Sequence, residues 1–370
     1  MDVAKPEPDI APERRSTWRR TWDAVDERLQ LNRLAYPVPR HANRIGYVLG
    51  GTTLAGMVIV FITGIWLAQF YNPDPDHAHE SVDYIISTAP LGSLMRGIHF
   101  WTATIVVILV LLHMGRVFTT GSYKQPREFN WLVGLGLLAI TIGFAFTGSV
   151  LKWDQEAFEA LGHNTEIGNL IGSIGAWFSP EFTHSTAILV RLYIAHIAIL
   201  PFGLVLVLVI HLFQIRVHGI SPLPAEHDRA VEGGPAPHET GSTFAHHLSR
   251  MGVLGAGLLA LAIVLTLIVA PPFGQVPDPS KEITKPPWEF LPLYPFENWF
   301  GIRALLWVPI ILFALLAVVP LADRSRYMSP RRRILIVGLG AALAVALLGL
   351  GVYAWLGPVV RHMTEGGGGM

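Results

Sequence analysis

The chain contains no cysteine. That absence excludes disulfide frameworks, thiolate-held iron–sulfur clusters, Cys-ligated zinc and any cofactor attached through a thioether. Charge is also scarce. Only 15% of the 370 residues are Asp, Glu, Lys or Arg, against about 25% in soluble domains. The 27 Lys and Arg balance the 27 Asp and Glu, so no global field draws the chain to nucleic acid. What fills the chain instead is apolar: 51% is hydrophobic and the mean hydropathy is +0.44. These values describe a polytopic membrane protein, not the two or three soluble domains that length alone would suggest. Fifteen histidines are left as the main soft metal ligands.

A spanning helix takes about 20 mostly apolar residues. Seven stretches qualify: roughly 46–70, 94–117, 131–151, 186–215, 251–271, 300–321 and 334–357. Lipid offers the backbone no hydrogen bonds, so each is expected to be a helix and the fold all-α. Residues 1–45, with Arg14, Arg15, Arg19, Arg20, Arg28, Trp18 and Trp22, read as a cytoplasmic amphipathic segment. They do not read as a signal peptide, because no short apolar run precedes the first span. Residues 46–221 hold four spans, 222–249 form a polar Pro/Gly-rich linker, and 250–370 hold three more. Placing the N-terminus in the cytoplasm leaves seven cationic residues outside: Arg96, Lys152, Arg191, Lys281, Lys285, Arg303 and Arg361. The other 20 of the 27 Lys and Arg then lie inside, an asymmetry that sets the expected orientation.

Ionisable groups within spans are costly and mark function. The second span carries His99 and His113, 14 residues apart; the fourth carries His196 and His211, 15 apart. At 1.5 Å and 100° per residue, each pair shares roughly one helix face and is separated by about 21–22 Å along it. The two spans run in the same direction, so His99 and His196 lie toward the outside and His113 and His211 toward the cytoplasm. Two stacked bis-imidazole sites result, and two b-type haems suit them. A hydrogen bond to a neighbouring helix would explain one such histidine; four at matched depths argue otherwise. Gly50 and Gly64 in the first span and Gly134 and Gly148 in the third repeat the 14-residue period. A helix without Cβ atoms there lets a porphyrin edge approach. Arg96, Arg191 and Arg116 stand near helix ends, placed to pair with haem propionates, although snorkelling to the interface accounts for each as well.

Several stretches resemble the cytochrome b family of quinol-oxidising bc-type complexes: RGIHFWTATIVVILVLLHMGRVFTTGSYKQPREFNW (96–131), TGSVLKWDQ (147–155), RLYIAHIAILPFGLVLVLVIHLFQIRVHGISP (191–222) and KPPWEFLPLYPF (285–296). The 15-residue histidine spacing is similar to the cytochrome b6 branch. Four spans plus three resemble b6 fused to its companion subunit IV, without the eighth helix of the mitochondrial type. The resemblance implies a four-helix dihaem bundle followed by three further transmembrane helices, in a bacterial-type inner membrane. It implies quinol oxidation outside with electron bifurcation, transfer through the two haems, quinone reduction near the cytoplasm and coupled proton translocation. A Rieske iron–sulfur protein, a c-type cytochrome subunit and a homodimeric complex are the partners it implies.

The family's outer site carries a Pro-Glu-Trp-Tyr motif whose glutamate takes a quinol proton. Pro286, Pro287, Trp288 and Glu289 stand there in this sequence, so the glutamate position holds proline. Glu289 is the expected substitute acceptor, with Trp288 and Pro287 beside it; a solvated loop charge is the competing explanation. Residues 153–173 are expected to roof that site, with Lys152 where the family commonly has proline. Arg216 and His218 are candidates for the inner quinone. The b6 branch attaches a third haem through a cysteine; Val48 replaces it here, so no covalent third haem forms. His163 and His184 receive no role. The alternatives are a dihaem anchor cytochrome of a dehydrogenase or hydrogenase, which lacks the PPWEF loop and the matched glycine pairs, and a haem-free transporter, which reduced-minus-oxidised spectra would separate.

Overall fold

The computed structural model describes residues 17–34, 36–235 and 241–362. Arg14 and Arg15 of the N-terminal segment, and 236–240 of the polar linker, lie outside the described residues. The described helices are α1 Thr17–Leu29, α2 Ile45–Leu67, α3 Ala78–Ser87, α4 Gly92–Thr119, α5 Glu128–Val150, α6 Gln155–Ile171, α7 Ile188–Ile194, α8 Leu200–His218, α9 Pro224–Val231, α10 Phe244–Ile268, α11 Tyr294–Phe300, α12 Arg303–Ala322 and α13 Ile334–Leu356. Helices α7 and α8 belong to one rod, so seven rods are long and apolar enough to cross a membrane. They coincide with the seven stretches read from the sequence. A two-residue antiparallel pairing of β1 (Pro37–Val38) with β2 (Ser242–Thr243) ties the segment before α2 to the start of α10.

Local chemistry sets the helix ends. Asp154 caps α6 by accepting the Ala157 amide at 3.0 Å. Thr243 caps α10 by accepting the His246 amide at 3.2 Å. Gly219 and Gly301 follow α8 and α11 with φ of 68° and 74°, a backbone that side chains with a Cβ rarely adopt. Between α7 and α8 lies a π turn, Ala195–Ile199, which contains His196. Pro201 lacks the N–H that would continue the α ladder there. A π turn holds one residue more than an α turn. His196 and His211, 15 apart, therefore face one another's direction as a 14-residue pair does in a plain helix, matching His99 and His113.

Helices α2, α4 and α10 pack together, α8 packs on α5, and α12 also packs on α5. Small residues permit the first contact: a Cβ on Gly51 would strike Met251, on Gly255 it would strike Ala55, and on Gly97 it would strike Thr266. The three-helix unit is thus interleaved with the four-helix unit rather than hung beside it. The described part of the linker is correspondingly structured. Asp228 on α9 is buried and accepts the amides of Met328 at 2.7 Å and Ser329 at 3.2 Å. On the same side, Asp323 accepts from Tyr123 Oη and Arg333 Nε, both at 2.6 Å, with Lys124 Nζ at 2.9 Å. Large apolar side chains such as Val253, Leu267, Leu335 and Trp355 point outward. On a spanning rod such a surface faces lipid or another subunit.

Candidate functional site

The four histidines project from α4 and from the α7–α8 rod. Helix α4 packs chiefly on α2 and α10, whereas α8 packs on α5. His99 and His196 approach across the seam between these groups, with ring centres 6.5 Å apart and planes at 59°. Metal–imidazole bonds of about 2.1 Å, plus about 1.1 Å from nitrogen to ring centre, put two axial imidazoles about 6.4 Å apart. The observed spacing fits an iron held between the rings.

Hydrogen bonds orient both rings. Thr63 Oγ1 donates to the Ile59 carbonyl at 2.8 Å and lies 3.0 Å from His99 Nδ1. Thr147 Oγ1 donates to the Gly143 carbonyl at 2.7 Å and lies 2.8 Å from His196 Nδ1. With each hydroxyl proton engaged, Nδ1–H is the donor to the threonine, and Nε2 keeps its lone pair for a metal. His113 and His211 are electrostatic neighbours at the other level. Leu49 and Val133 occupy the positions corresponding to the two threonines, so neither inner ring has a hydroxyl partner; His113 Nδ1 is buried without a partner, and the His211 ring has the Asn130 backbone within reach.

Each glycine of the 14-residue pattern meets one histidine. A Cβ on Gly50 would lie 3.1 Å from His113, on Gly64 3.2 Å from His99, on Gly134 3.8 Å from His211, and on Gly148 3.1 Å from His196. The sequence pattern points to room for a porphyrin edge; the structure shows that the contact made directly is with the imidazole. Helices α2 and α5 act as smooth walls against which the ligand rings rest. The threonines were not singled out from the sequence. The Thr-Gly dipeptides at 63–64 and 147–148 are the signal that marks them.

The arginines divide. Arg96 donates to the carbonyls of Pro271 at 3.3 Å and Pro272 at 2.7 Å. Arg191 is buried and donates to Trp177 and Ser179 carbonyls at 2.7 and 2.6 Å. Both therefore hold loops, a role the sequence reading did not give them. Arg116 stacks 3.5 Å from the Tyr47 ring centre, and its buried Nε and Nη2 lack partners. Of the three it has the most donor capacity left for a propionate. Arg216 is exposed and stacks 4.8 Å from the Tyr36 ring. The His218 carbonyl accepts from Arg127 at 2.9 Å.

At the opposite face, α6 holds the loop that carries Pro287, Trp288 and Glu289. Buried Glu159 accepts the amides of Ile283 at 2.9 Å and Thr284 at 3.0 Å. Gln155 Oε1 accepts the Asp278 amide at 2.7 Å, and Asp154 accepts the Gly274 amide at 2.8 Å. The Pro287 carbonyl closes a turn with the Phe290 amide at 2.9 Å. Trp288 is exposed, whereas Glu289 is half-buried with Oε2 enclosed and unpartnered. Burial pushes the Glu289 carboxyl above its ordinary value, against a hydrogen bond from its own backbone amide; neighbouring Glu156 adds to the rise and Lys152 opposes it. Lys152 itself pairs with Glu156 at 2.8 Å and Asp154 at 3.2 Å. The residue standing in place of the family proline therefore cross-links the start of α6.

Seven candidate membrane spans thus carry two levels of paired histidines, each histidine seated on a glycine of a neighbouring helix. Comparison with known proteins gives the family. The profile described as Cytochrome b/b6/petB matches residues 33–219. Cytochrome b6 of Heliobacterium mobile is 39% identical over 190 residues, covering 50% of this chain and 89% of that protein. Cytochrome b6 of Mastigocladus laminosus is 36% identical over 209 residues, covering 54% and 97%. A chain of a solved "Hyperthermophilic respiratory Complex III" superposes with a TM-score of 0.78 at 24% identity, covering 91% of this chain and 92% of that one. That likeness extends the shared fold through the last three spans. The chain belongs to the cytochrome b/b6 family.

Proposed function

We propose that this chain is the cytochrome b subunit of a bc-type quinol-oxidising complex in a bacterial-type plasma membrane, with its N-terminus in the cytoplasm. Residues 46–221 form the dihaem unit, with outer ligands His99 and His196 and inner ligands His113 and His211. Residues 250–370 supply the loop of the quinol site. The observation that carries this reading is the assignment of one glycine to each histidine at two levels of the bundle. A membrane protein needing histidines only for helix contacts has no reason to smooth the facing helix at all four.

Bound haem supplies reversible one-electron storage at two depths. The chain's own residues do the rest. Thr63 and Thr147 fix the outer ring tautomers, while Arg116 stands ready for a propionate. Quinol is oxidised near Pro287, Trp288 and Glu289. His99, His196, His113 and His211 would hold the haems that take up one electron of the quinol, and an iron–sulfur partner of Rieske type would take the other. Glu289 accepts a proton from the quinol: its Oε2 is enclosed yet unpartnered, and Glu156 and Lys152 are its charged neighbours. Arg216 and His218 face the cytoplasmic quinone. The electron route requires iron–sulfur and c-type centres on other subunits, because this sequence has no cysteine to hold either.

Purification of the complex with haem counting tests the proposal. Two b-type haems per chain are expected, reduced on adding quinol. Alanine at His99 or His196 should abolish one, and at His113 or His211 the other. A preparation with no b-type absorbance, or one haem lost identically from either pair, would sink it.

A further inference from the structure

Away from the haem levels, the face that bears α6 holds a cluster that the electron route does not use. We propose that His163, Glu297 and His362 bind a divalent cation of the zinc class, which clamps the segment after α13 to α6 and α11. The residues are far apart in the sequence, yet one ligand atom from each lies within 4.8 Å of the others. Glu282, from the loop before Pro286, borders them.

Three observations point to a cation. First, the carboxylates are buried, with Glu297 3% and Glu282 8% exposed, and burying such charges is costly without a positive partner. Among the described residues, the ion-pair partners of Glu297 are two histidines and no Lys or Arg. Second, the polar atoms are close but meet no hydrogen-bond geometry. His163 Nε2 is 3.2 Å from Glu297 Oε1, and His362 Nδ1 is 3.8 Å from Glu297 Oε2. Yet His163 Nε2, His362 Nδ1 and Glu297 Oε1 are all buried without a hydrogen-bond partner. Third, the spacing suits zinc. Bonds of about 2.1 Å in a tetrahedron give ligand–ligand edges of about 3.4 Å. The imidazole–carboxylate separations around the cluster run from 3.2 to 3.9 Å, with both Glu297 oxygens used, and the full set of three ligand atoms closes to within 4.8 Å, so a bound ion would draw the ligands slightly inward.

The surroundings prepare the ligands. His163 Nδ1 lies 2.7 Å from the Glu159 carbonyl, so it carries the proton and leaves Nε2 free to coordinate. The same Glu159 holds Ile283 and Thr284 through its carboxylate. The His362 amide donates to Glu282 Oε2 at 2.8 Å, fixing the segment that delivers His362. Two imidazoles and one carboxylate leave a fourth position for Glu282 Oε1, 3.6 Å from His362 Nδ1, or for water. The competing occupant is a proton shared by His163 and Glu297.

The test uses the intact complex, stripped with a chelator and dialysed against zinc. Zinc per chain is measured by mass spectrometry, and its shell by X-ray absorption at the zinc edge. The expected shell contains only nitrogen and oxygen, with two imidazoles. His362→Ala and Glu297→Gln should each weaken zinc binding by more than the roughly 10–100-fold that loss of an outer-shell partner costs. His184→Ala, at an exposed histidine, should change nothing. Haem absorbance checks that the variants assemble; if they do not, the wild-type shell alone decides. Zinc bound equally by wild type and His362→Ala, a shell without two imidazoles, or no zinc retained overturns the proposal.

Discussion

Replacing the four pattern glycines by alanine, one at a time, should set Gly134 apart from the other three. At Gly134 the added Cβ stands 3.8 Å from His211, an ordinary van der Waals contact. At Gly50, Gly64 and Gly148 it stands 3.1–3.2 Å from its histidine, so the ring must yield by a few tenths of an ångström. Alanine in a helix interior gains about 0.5–1 kcal/mol over glycine. Overpacking a tight contact costs about 1–3 kcal/mol. Gly134→Ala should therefore be neutral or mildly stabilising. The other three should lose about 0.5–2 kcal/mol, or roughly 2- to 30-fold in haem retention. Gly148→Ala should be the least forgiving, because His196 is also tied to Thr147 at 2.8 Å. The assay is haem per chain after detergent extraction and mild heating, with redox titration to assign the haem lost. Gly148→Ala and Gly64→Ala should loosen the outer one, Gly50→Ala the inner one. If Gly134→Ala releases haem as readily as Gly148→Ala, the reasoning from Cβ clearance is wrong.

Other perturbations address different parts of the structure. Thr63→Val and Thr147→Val remove the acceptor from the outer Nδ1–H, weaken the ligand as a donor and should raise the outer potential by up to about 40 mV, equivalent to about 1 kcal/mol; potentiometry should find the inner haem unmoved. Glu289 accepts a proton only when ionised, and burial raises its pKa, so quinol oxidation should climb with pH through a range above ordinary carboxylates. Glu289→Gln should slow turnover and erase that limb; stopped-flow rates across pH that match wild type would assign the proton to another group. Asp323→Ala strands buried Arg333 and should cost about 3–5 kcal/mol, read as a lowered thermal midpoint in detergent. Burial opposes the charge of Asp323, but hydrogen bonds from Tyr123, Lys124 and Arg333 outweigh it and hold the carboxyl below its ordinary 3.8. Its contribution is therefore complete above that pH and is lost as pH falls through the lower folded value, so acid unfolding of Asp323→Asn should lack this step.

Which parts of the site were legible follows from the range over which each signal acts. The paired histidines on one helix are a spacing of 14 or 15, and helical geometry turns that number into a face and a height. The extra residue between His196 and His211 was visible, but its resolution by a π turn was not, because Pro201 permits several adjustments and packing selects one. Arg96 and Arg191 showed their height in the bundle; which acceptor each reaches depends on the carbonyls of Pro271, Pro272, Trp177 and Ser179, brought there by other segments. The stretch 222–249 looked like a spacer on composition. Its Asp228 instead binds the turn before α13, about 100 residues away.

The sequence by itself determined the seven spans and the two depths of histidine. Those are sums over neighbouring residues, and lipid enforces them through unsatisfied backbone groups and apolar length. Only the tertiary structure decided that each glycine meets an imidazole, that Glu289 is enclosed beside Glu156, and that His163, Glu297 and His362 converge. Such meetings depend on ångström-scale approach between helices distant in the chain, where a contact of 3.1 rather than 3.8 Å changes the outcome and no local pattern records the difference.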